Sequence, residues 1–177
     1  MSADGFRLVP LGEEHIDDVR ALLDDPDILR FTRVPEPPPD DFAHRWVARY
    51  EQGRRDGSRE GFAAFEGERF VGMALAPAID PEDGEVELGY IVARAARGRG
   101  VATEMLRRLT HWAFDEAGAQ RIVLIIDVRN AASERVAERC GYVREGVMRS
   151  VHHKQGKRID AGLWSRLPSD PEQPAVA

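Results

Sequence analysis

Residues 97–102 read Arg97-Gly98-Arg99-Gly100-Val101-Ala102, two glycines and two guanidinium side chains just ahead of a run with helical periodicity. The first turn of a helix carries N–H groups without intrahelical acceptors and the positive end of the helix dipole, and glycines let an anion approach the backbone. Pyrophosphate is a natural occupant of such a place. Two other glycine-rich signatures do not fit. A P-loop needs Lys-Ser or Lys-Thr after its last glycine, where Val101-Ala102 stand. The dinucleotide fingerprint needs Gly or Ala three places after Gly100, where Thr103 stands, and a preceding strand that opens a βαβ unit at the chain start. Arg94, Arg107 and Arg108 fall in the same stretch, and together these arginines read as a local anion site within an acidic chain: 25 Lys+Arg against 31 Asp+Glu give a net charge of -6. That overall field repels nucleic acid and anionic membrane surfaces, so neither is an expected partner.

Other side chains with chemical capacity are sparse. Glu85 and Glu87 alternate along a strand and share the face of Gly89, whereas the adjacent His152 and His153 face opposite sides, so one of them can point at a substrate. One cysteine, Cys140, and five scattered histidines give no metal coordination set, and no metal is expected. A single cysteine also excludes an intrachain disulfide, and no apolar run approaches the roughly 20 residues needed to span a bilayer. With a segment from Met1 to Leu11 that lacks the basic start and apolar middle of an export signal, a reducing, cytoplasmic compartment is the expectation.

The elements that must position these groups follow from periodicity. The 42% hydrophobic content of 177 residues suffices for one core, and no internal repeat or long linker divides the chain. One domain over residues 1–167 is expected, followed by a proline-bearing tail, 168–177, expected to be flexible. Phe6 to Val9 reads as a strand, and Ile16, Val19 and Leu23 as a helix behind the acidic turn of Glu13 and Glu14. After the rigid Pro35–Pro39 loop, Phe42, Trp46, Val47 and Tyr50 mark a helix ending near Gly53. Gly61–Phe65 and Arg69–Leu75 form a hairpin, and Glu85–Val92 a further strand with a bulge or close backbone approach at Gly89. From Val101 the residues Met105, Leu109, Trp112 and Ala113 predict a helix stopping at Gly118, and Ile122–Ile126 a central strand buried on both faces. Asn130 caps a helix that buries Val136 and Cys140 and ends at Gly141, and two strands follow around a turn at Gln155-Gly156. The fold class is α/β with a mixed sheet flanked by helices, antiparallel early and crossing over later.

The sequence Glu87-Leu88-Gly89-Tyr90, the Arg97–Gly100 element, Asn130-Ala131-Ala132-Ser133, Gly141-Tyr142 and Glu145-Gly146 occur in one order at close spacing. Together they resemble the GNAT superfamily of N-acetyltransferases, most strongly from Glu85 to Arg166, and within it the ribosomal-protein N-terminal acetyltransferase branch. The resemblance implies a single-domain fold with a splayed sheet and acetyl-CoA as acetyl donor. The backbone of Tyr90, Ile91 and Val92 would pair with the pantetheine arm, and the N–H groups from Gly98 through Val101 to Ala102 would take the pyrophosphate. Arg97 and Arg99 would add charge, and Asn130 would contact the arm near its reactive end.

Acetyl transfer to an amine needs a neutral nucleophile, a polarised carbonyl and a proton for the departing sulfur. Glu87 is the candidate base, directly or through water, with Glu85 and His152 as alternatives. Many superfamily members carry a tyrosine in the helix after the asparagine element, but this sequence has Ala137 near that position. In the ribosomal-protein branch a serine three places after that asparagine stands near the sulfur, and Ser133 matches it. Its alternative is an ordinary N3 capping serine. Tyr142 is a packed strand residue whose hydroxyl could reach the cleft. The acceptor implied by the branch is a protein N-terminus, with a polyamine, amino acid or antibiotic as the small-molecule alternative, because acceptor loops vary freely. Residues 31–50 and 76–84 are the segments expected to shape its pocket. Two readings of other classes stand beside this one: a non-catalytic acyl-CoA sensor, favoured by the missing helix tyrosine, and nucleotide-dependent chemistry. Oligomeric state is not readable from the pattern, with which a homodimer is compatible.

Overall fold

The structure, a computed structural model, describes residues 5–154 and 156–171. Residues 1–4 of the N-terminal segment, Gln155 of the expected turn and residues 172–177 of the tail lie outside the described residues. Among those described, strands β1 (Phe6–Pro10), β2 (Glu60–Glu66), β3 (Arg69–Asp80), β4 (Glu85–Val92), β5 (Arg121–Asp127), β6 (Val143–Lys154) and β7 (Lys157–Arg166) form one sheet in the order β1-β2-β3-β4-β5-β7-β6. Neighbours are antiparallel except β4 and β5, which are parallel and therefore need a crossover. The helices are α1 (Ile16–Leu22), α2 (Pro26–Phe31), α3 (Phe42–Asp56), α4 (Val101–Asp115) and α5 (Ala131–Arg139), with α4 making that crossover.

Period-two alternation in the strands feeds a core on each face of the sheet. Ala64, Ala74, Ala76 and Leu88 turn toward Met105, Leu106, Leu109 and Ala113 of α4, whose spacing makes one buried helical stripe. Their strand neighbours Ala63, Met73, Leu75 and Ile91 turn the other way, onto Val19, Leu22, Val47 and Tyr50 of α1 and α3. The predicted central strand is β5, where Ile122, Val123, Leu124 and Ile126 are buried.

The structure departs from expectation in three places. Helix α2 has no counterpart in the periodicity reading, although its N-terminus is chemically marked: Asp25 accepts a hydrogen bond from Asp27 N–H at 2.9 Å, and Pro26 fills the first helical position. Helix α3 runs past Gly53 to Asp56 and ends at Gly57, whose φ is +74°. Gly53 is instead a point of close approach, where a Cβ would lie 2.4 Å from the Cβ of Arg59 as the chain folds back. The irregularity predicted at Gly89 lies on the facing strand. Gly89 pairs with Leu75 and Glu87 with Ala78, two steps on β4 against three on β3, so the additional residue falls at Ala76-Pro77. Pro77 has no N–H to give a ladder, which suits a bulge.

Candidate active site

Parallel pairing of β4 with β5 comprises Glu85↔Arg121, Val86↔Ile122 and Glu87↔Val123, whereas β4 keeps its antiparallel partner β3 as far as Val92. Beyond Glu87 the two central strands diverge, and two cavities open there. One, of about 490 Å³, is bordered by Glu87 to Ile91 of β4 and Leu124 to Asp127 of β5. The other, of about 570 Å³, is bordered by Tyr90, Ile91 and Val92 and by the glycine loop ahead of α4. Tyr90, Ile91, Asn130 and Ser133 border both, so the cavities meet there. The two segments expected to shape the pocket contribute to the first cavity, through Thr32 to Pro35, Trp46 and Pro77 among others.

The glycine loop is built as an amide cradle. Gly98 and Gly100 have φ of +75° and +83°, and a Cβ at either would meet nothing within 4 Å. Among the described residues, no acceptor engages the N–H groups of Gly98 to Thr103, while Glu104 N–H begins the helical ladder on Gly100 C=O at 3.0 Å. The two flanking guanidinium groups do other work than sequence reasoning assigned. Arg97 donates to Asp25 at 2.7 Å, to Asp27 at 3.2 Å and to Val92 C=O at 3.2 Å, bracing the loop against the start of α2. Arg99 donates to Glu66 at 3.0 Å and does not border the cavity. Among the described residues the cations with open guanidinium groups at this cavity are Arg135 and Arg139 of α5, which sequence reasoning missed. Their i, i+4 spacing on a helix opposite the glycine loop was the available signal.

At the junction Asn130 caps α5, its Oδ1 accepting from Ser133 N–H at 3.1 Å. The Ser133 hydroxyl is thereby free of capping and lies 2.8 Å from the Tyr90 hydroxyl. Burial pushes the Tyr90 phenol up to about 12. Sequence reasoning used only the backbone of Tyr90, because nothing local to the strand shows its ring reaching α5. Tyr142 is elsewhere: it is buried, borders neither cavity, and its hydroxyl lies 2.7 Å from Thr110 Oγ1. Thr110 gives its only hydroxyl proton to Leu106 C=O at 2.8 Å, so Tyr142 must donate to Thr110.

On the far side of the junction Glu87 accepts from Arg33 Nη2 at 2.9 Å, with 19% of its side chain exposed. Glu85 is turned outward into a separate network, accepting from Arg121 at 2.9 Å while Arg121 grips Glu145 at 2.6 and 2.7 Å. His152 and His153 both border the first cavity. Burial, with Arg33 nearby, holds the His152 imidazole below its ordinary value. Lys154 donates to the carbonyl oxygens of Thr32 and Val34, tying β6 to the loop that carries Arg33. Among the described residues no group of three or more His, Cys, Asp or Glu could hold a metal ion, and no helix is long and apolar enough to cross a membrane.

Residues 6–143 match the family model described as acetyltransferase (GNAT) domain. Among curated relatives, the putative ribosomal N-acetyltransferase YdaF of Bacillus subtilis (strain 168) is 31% identical over 96 residues, 54% of this chain and 52% of that protein. The chain spans about half the length of the curated relatives it matches. Among solved structures, the RimL ribosomal L7/L12 alpha-N-protein acetyltransferase in complex with coenzyme A superimposes with a TM-score of 0.85 at 21% identity, covering 93% of this chain and 95% of that one. The spermidine N-acetyltransferase from Vibrio cholerae, in complex with CoA and spermine, gives 0.83 at 20% identity, covering 94% and 98%. These two likenesses establish a shared fold. The family match covers the glycine loop, both diverging strands and the capped α5, and by it this chain belongs to the GNAT acetyltransferase family.

Proposed function

We propose that this protein transfers the acetyl group of acetyl-CoA to a primary amine by direct attack in a ternary complex. The observation that carries the reading is the meeting of two cavities at the Tyr90–Ser133 pair, one floored by unpaired amides and the other holding a carboxylate. The residues fit the donor. Positive-φ Gly98 and Gly100 leave open space where a Cβ would stand, beside N–H groups that no acceptor engages among the described residues, which suits a diphosphate, and Arg135 and Arg139 add charge at the same cavity. The β4 edge from Tyr90 to Val92 has no strand partner on its β5 side and, apart from the Val92 carbonyl that Arg97 engages, offers main-chain groups to an amide-bearing arm. When bound, acetyl-CoA supplies a thioester as the acyl source.

Glu87 takes the ammonium proton of the acceptor, directly or through water, from the first cavity, held in place by Arg33. The Tyr90 and Ser133 hydroxyls stand at the junction, and with its phenol near 12 Tyr90 is protonated at neutral pH and able to give up a proton there. Ser133 sits beside it as relay or direct donor. The new C–N bond replaces the C–S bond: Glu87 takes one of the two protons the nitrogen loses and passes it to water, the hydroxyl pair gives a proton to the sulfur, and the second nitrogen proton, lost as the amide forms, restores that hydroxyl. The acceptor we infer is a peptide α-amine ahead of a small free amine, in keeping with relatives such as YdaF and the RimL fold.

Release of free thiol from acetyl-CoA, followed across a panel of peptides and small amines, tests this. Turnover with at least one member is expected, together with thermal protection by coenzyme A and none by ATP or NAD. Protection by coenzyme A without turnover for any acceptor would make the protein an acyl-CoA sensor instead.

A further inference from the structure

The charges around the first cavity do not suit every amine. Arg30, Arg33, Arg45, Arg49 and Lys154 border it, against Glu87 and Asp127 as the only carboxylates among the described residues, in a chain whose net charge is -6. Both carboxylates are already held by guanidinium groups, Glu87 by Arg33 at 2.9 Å and Asp127 by Arg129 at 2.9 Å. The cations come from three elements and from the loop that carries Arg33. Arg30 lies near the end of α2 with its guanidinium 5.0 Å from the centre of the Phe31 ring. Arg45 and Arg49 stand one turn apart on α3, beside Phe42 and Trp46. Lys154 reaches in from β6. Among the described residues Arg45 has only an exposed partner, Asp41 at 3.1 Å, and neither Arg30 nor Arg49 has a carboxylate in contact.

An amine arrives as an ammonium ion at neutral pH. A mouth rimmed with guanidinium groups repels it, and a polyamine meets that repulsion at each of its nitrogens. An acceptor that also carries carboxylates is drawn in, because a concave surface of one sign raises the local concentration of the opposite sign. Resting on the acetyl-transfer reading, we infer that the acceptor is an anionic amine: an amine with one or more carboxylates close to it, which Arg45 and Arg49 receive while the amino group reaches Glu87. Apolar atoms between the two charges would lie against Phe42 and Trp46, whose ring centres are 5.4 Å apart at a tilt of 60° on the same helix.

The test uses matched acceptors with the whole protein. Peptides bearing Asp or Glu at their second and third positions are compared with the same peptides bearing Asn or Gln. Free amino acids are compared with their amides, and spermidine stands for polycations. The acidic peptide is expected to exceed its amide twin by about tenfold or more in kcat/KM, within the range that focused fields produce. The ratio shrinks as added salt shortens the screening length. The double variant Arg45→Gln, Arg49→Gln, on an exposed helix face, is expected to bring the ratio of acidic to neutral peptide toward unity. Preference for free amino acids over peptides would identify a small anionic amine as the source of the same chemistry. Equal or better turnover of the neutral twins or of spermidine, or a ratio that the double variant leaves alone, would overturn the inference and leave acetyl transfer standing. Coenzyme A binding with no turnover of any acceptor would instead overturn the catalytic reading and this inference with it.

Discussion

Replacing Gly100 with alanine separates the amide cradle from the ordinary cost of a left-handed turn. Gly100 and Gly118 both have positive φ, +83° and +69°, and at both an added Cβ meets nothing within 4 Å. Their folding penalty should therefore be the same backbone term, about 1–2 kcal/mol for an L-residue in this region. At roughly 2–4 °C per kcal/mol for a chain of this size, each variant should melt about 2–8 °C lower. Coenzyme A binding should part the two. Gly100 is the residue from which α4 starts, and relief of strain there turns the neighbouring N–H groups away from the second cavity, whereas Gly118 borders neither cavity. Losing one hydrogen bond from an amide to a phosphate oxygen costs about 1.5–3 kcal/mol. That is roughly a 10- to 150-fold rise in Kd for Gly100→Ala, with no change for Gly118→Ala. Calorimetric titration with coenzyme A alongside thermal unfolding reads both quantities. Equal Kd values in the two variants, with both melting points lowered, would refute the cradle.

Glu87→Gln should lower kcat by about 10²–10⁴, the usual worth of a positioned base, while Tyr90→Phe should cost more than Ser133→Ala if the phenol is the donor; initial rates of thiol release decide both. Tyr142→Phe should destabilise by about 1 kcal/mol, from the lost bond to Thr110, and leave the rate alone; a fall in kcat without a fall in stability would contradict the placement of that hydroxyl. Hydrogen bonds from the Arg121 guanidinium and the Ser165 hydroxyl hold the Glu145 carboxyl down at about 2. Its folded value lies below its ordinary 4.5, so this stabilisation is fully present above 4.5 and lost as pH falls toward 2. Urea midpoints of Glu145→Gln should accordingly fall short of the parent above pH 4.5 and converge with it as pH falls toward 2.

What was legible in the sequence was what is locally encoded. The stripe of α4, the apolar run of β5 and the Asn130 cap each depend on neighbours within a few residues, and each is found where the pattern puts it. Helix α2 was missed because six residues give too little periodicity, although Asp25-Pro26 marks its start. Gly53 was misread as a stop because close approach by Arg59 and a helix terminus both call for glycine. Glu87, Tyr90, Gly98, Asn130 and Ser133, singled out from the sequence, border the two cavities, but their side-chain partners could not be read from spacing. Arg33 lies 54 residues from Glu87 and Glu66 lies 33 from Arg99, so no spacing rule connects them. The Tyr90 hydroxyl meets Ser133 across 43 residues and the open sheet, a contact that exists only once β4 and β5 have diverged.

That divergence hides a strand rim in the middle of the molecule. Unpaired peptide groups at the outer margin of a sheet invite other chains to add themselves, and β6, one of the two edge strands here, breaks its register twice along its length. The inner rim of β4 escapes such recruitment because β5 and α5 stand across from it. A guest that carries amides of its own would find on that rim the main-chain partners that a neighbouring strand supplies elsewhere in the sheet.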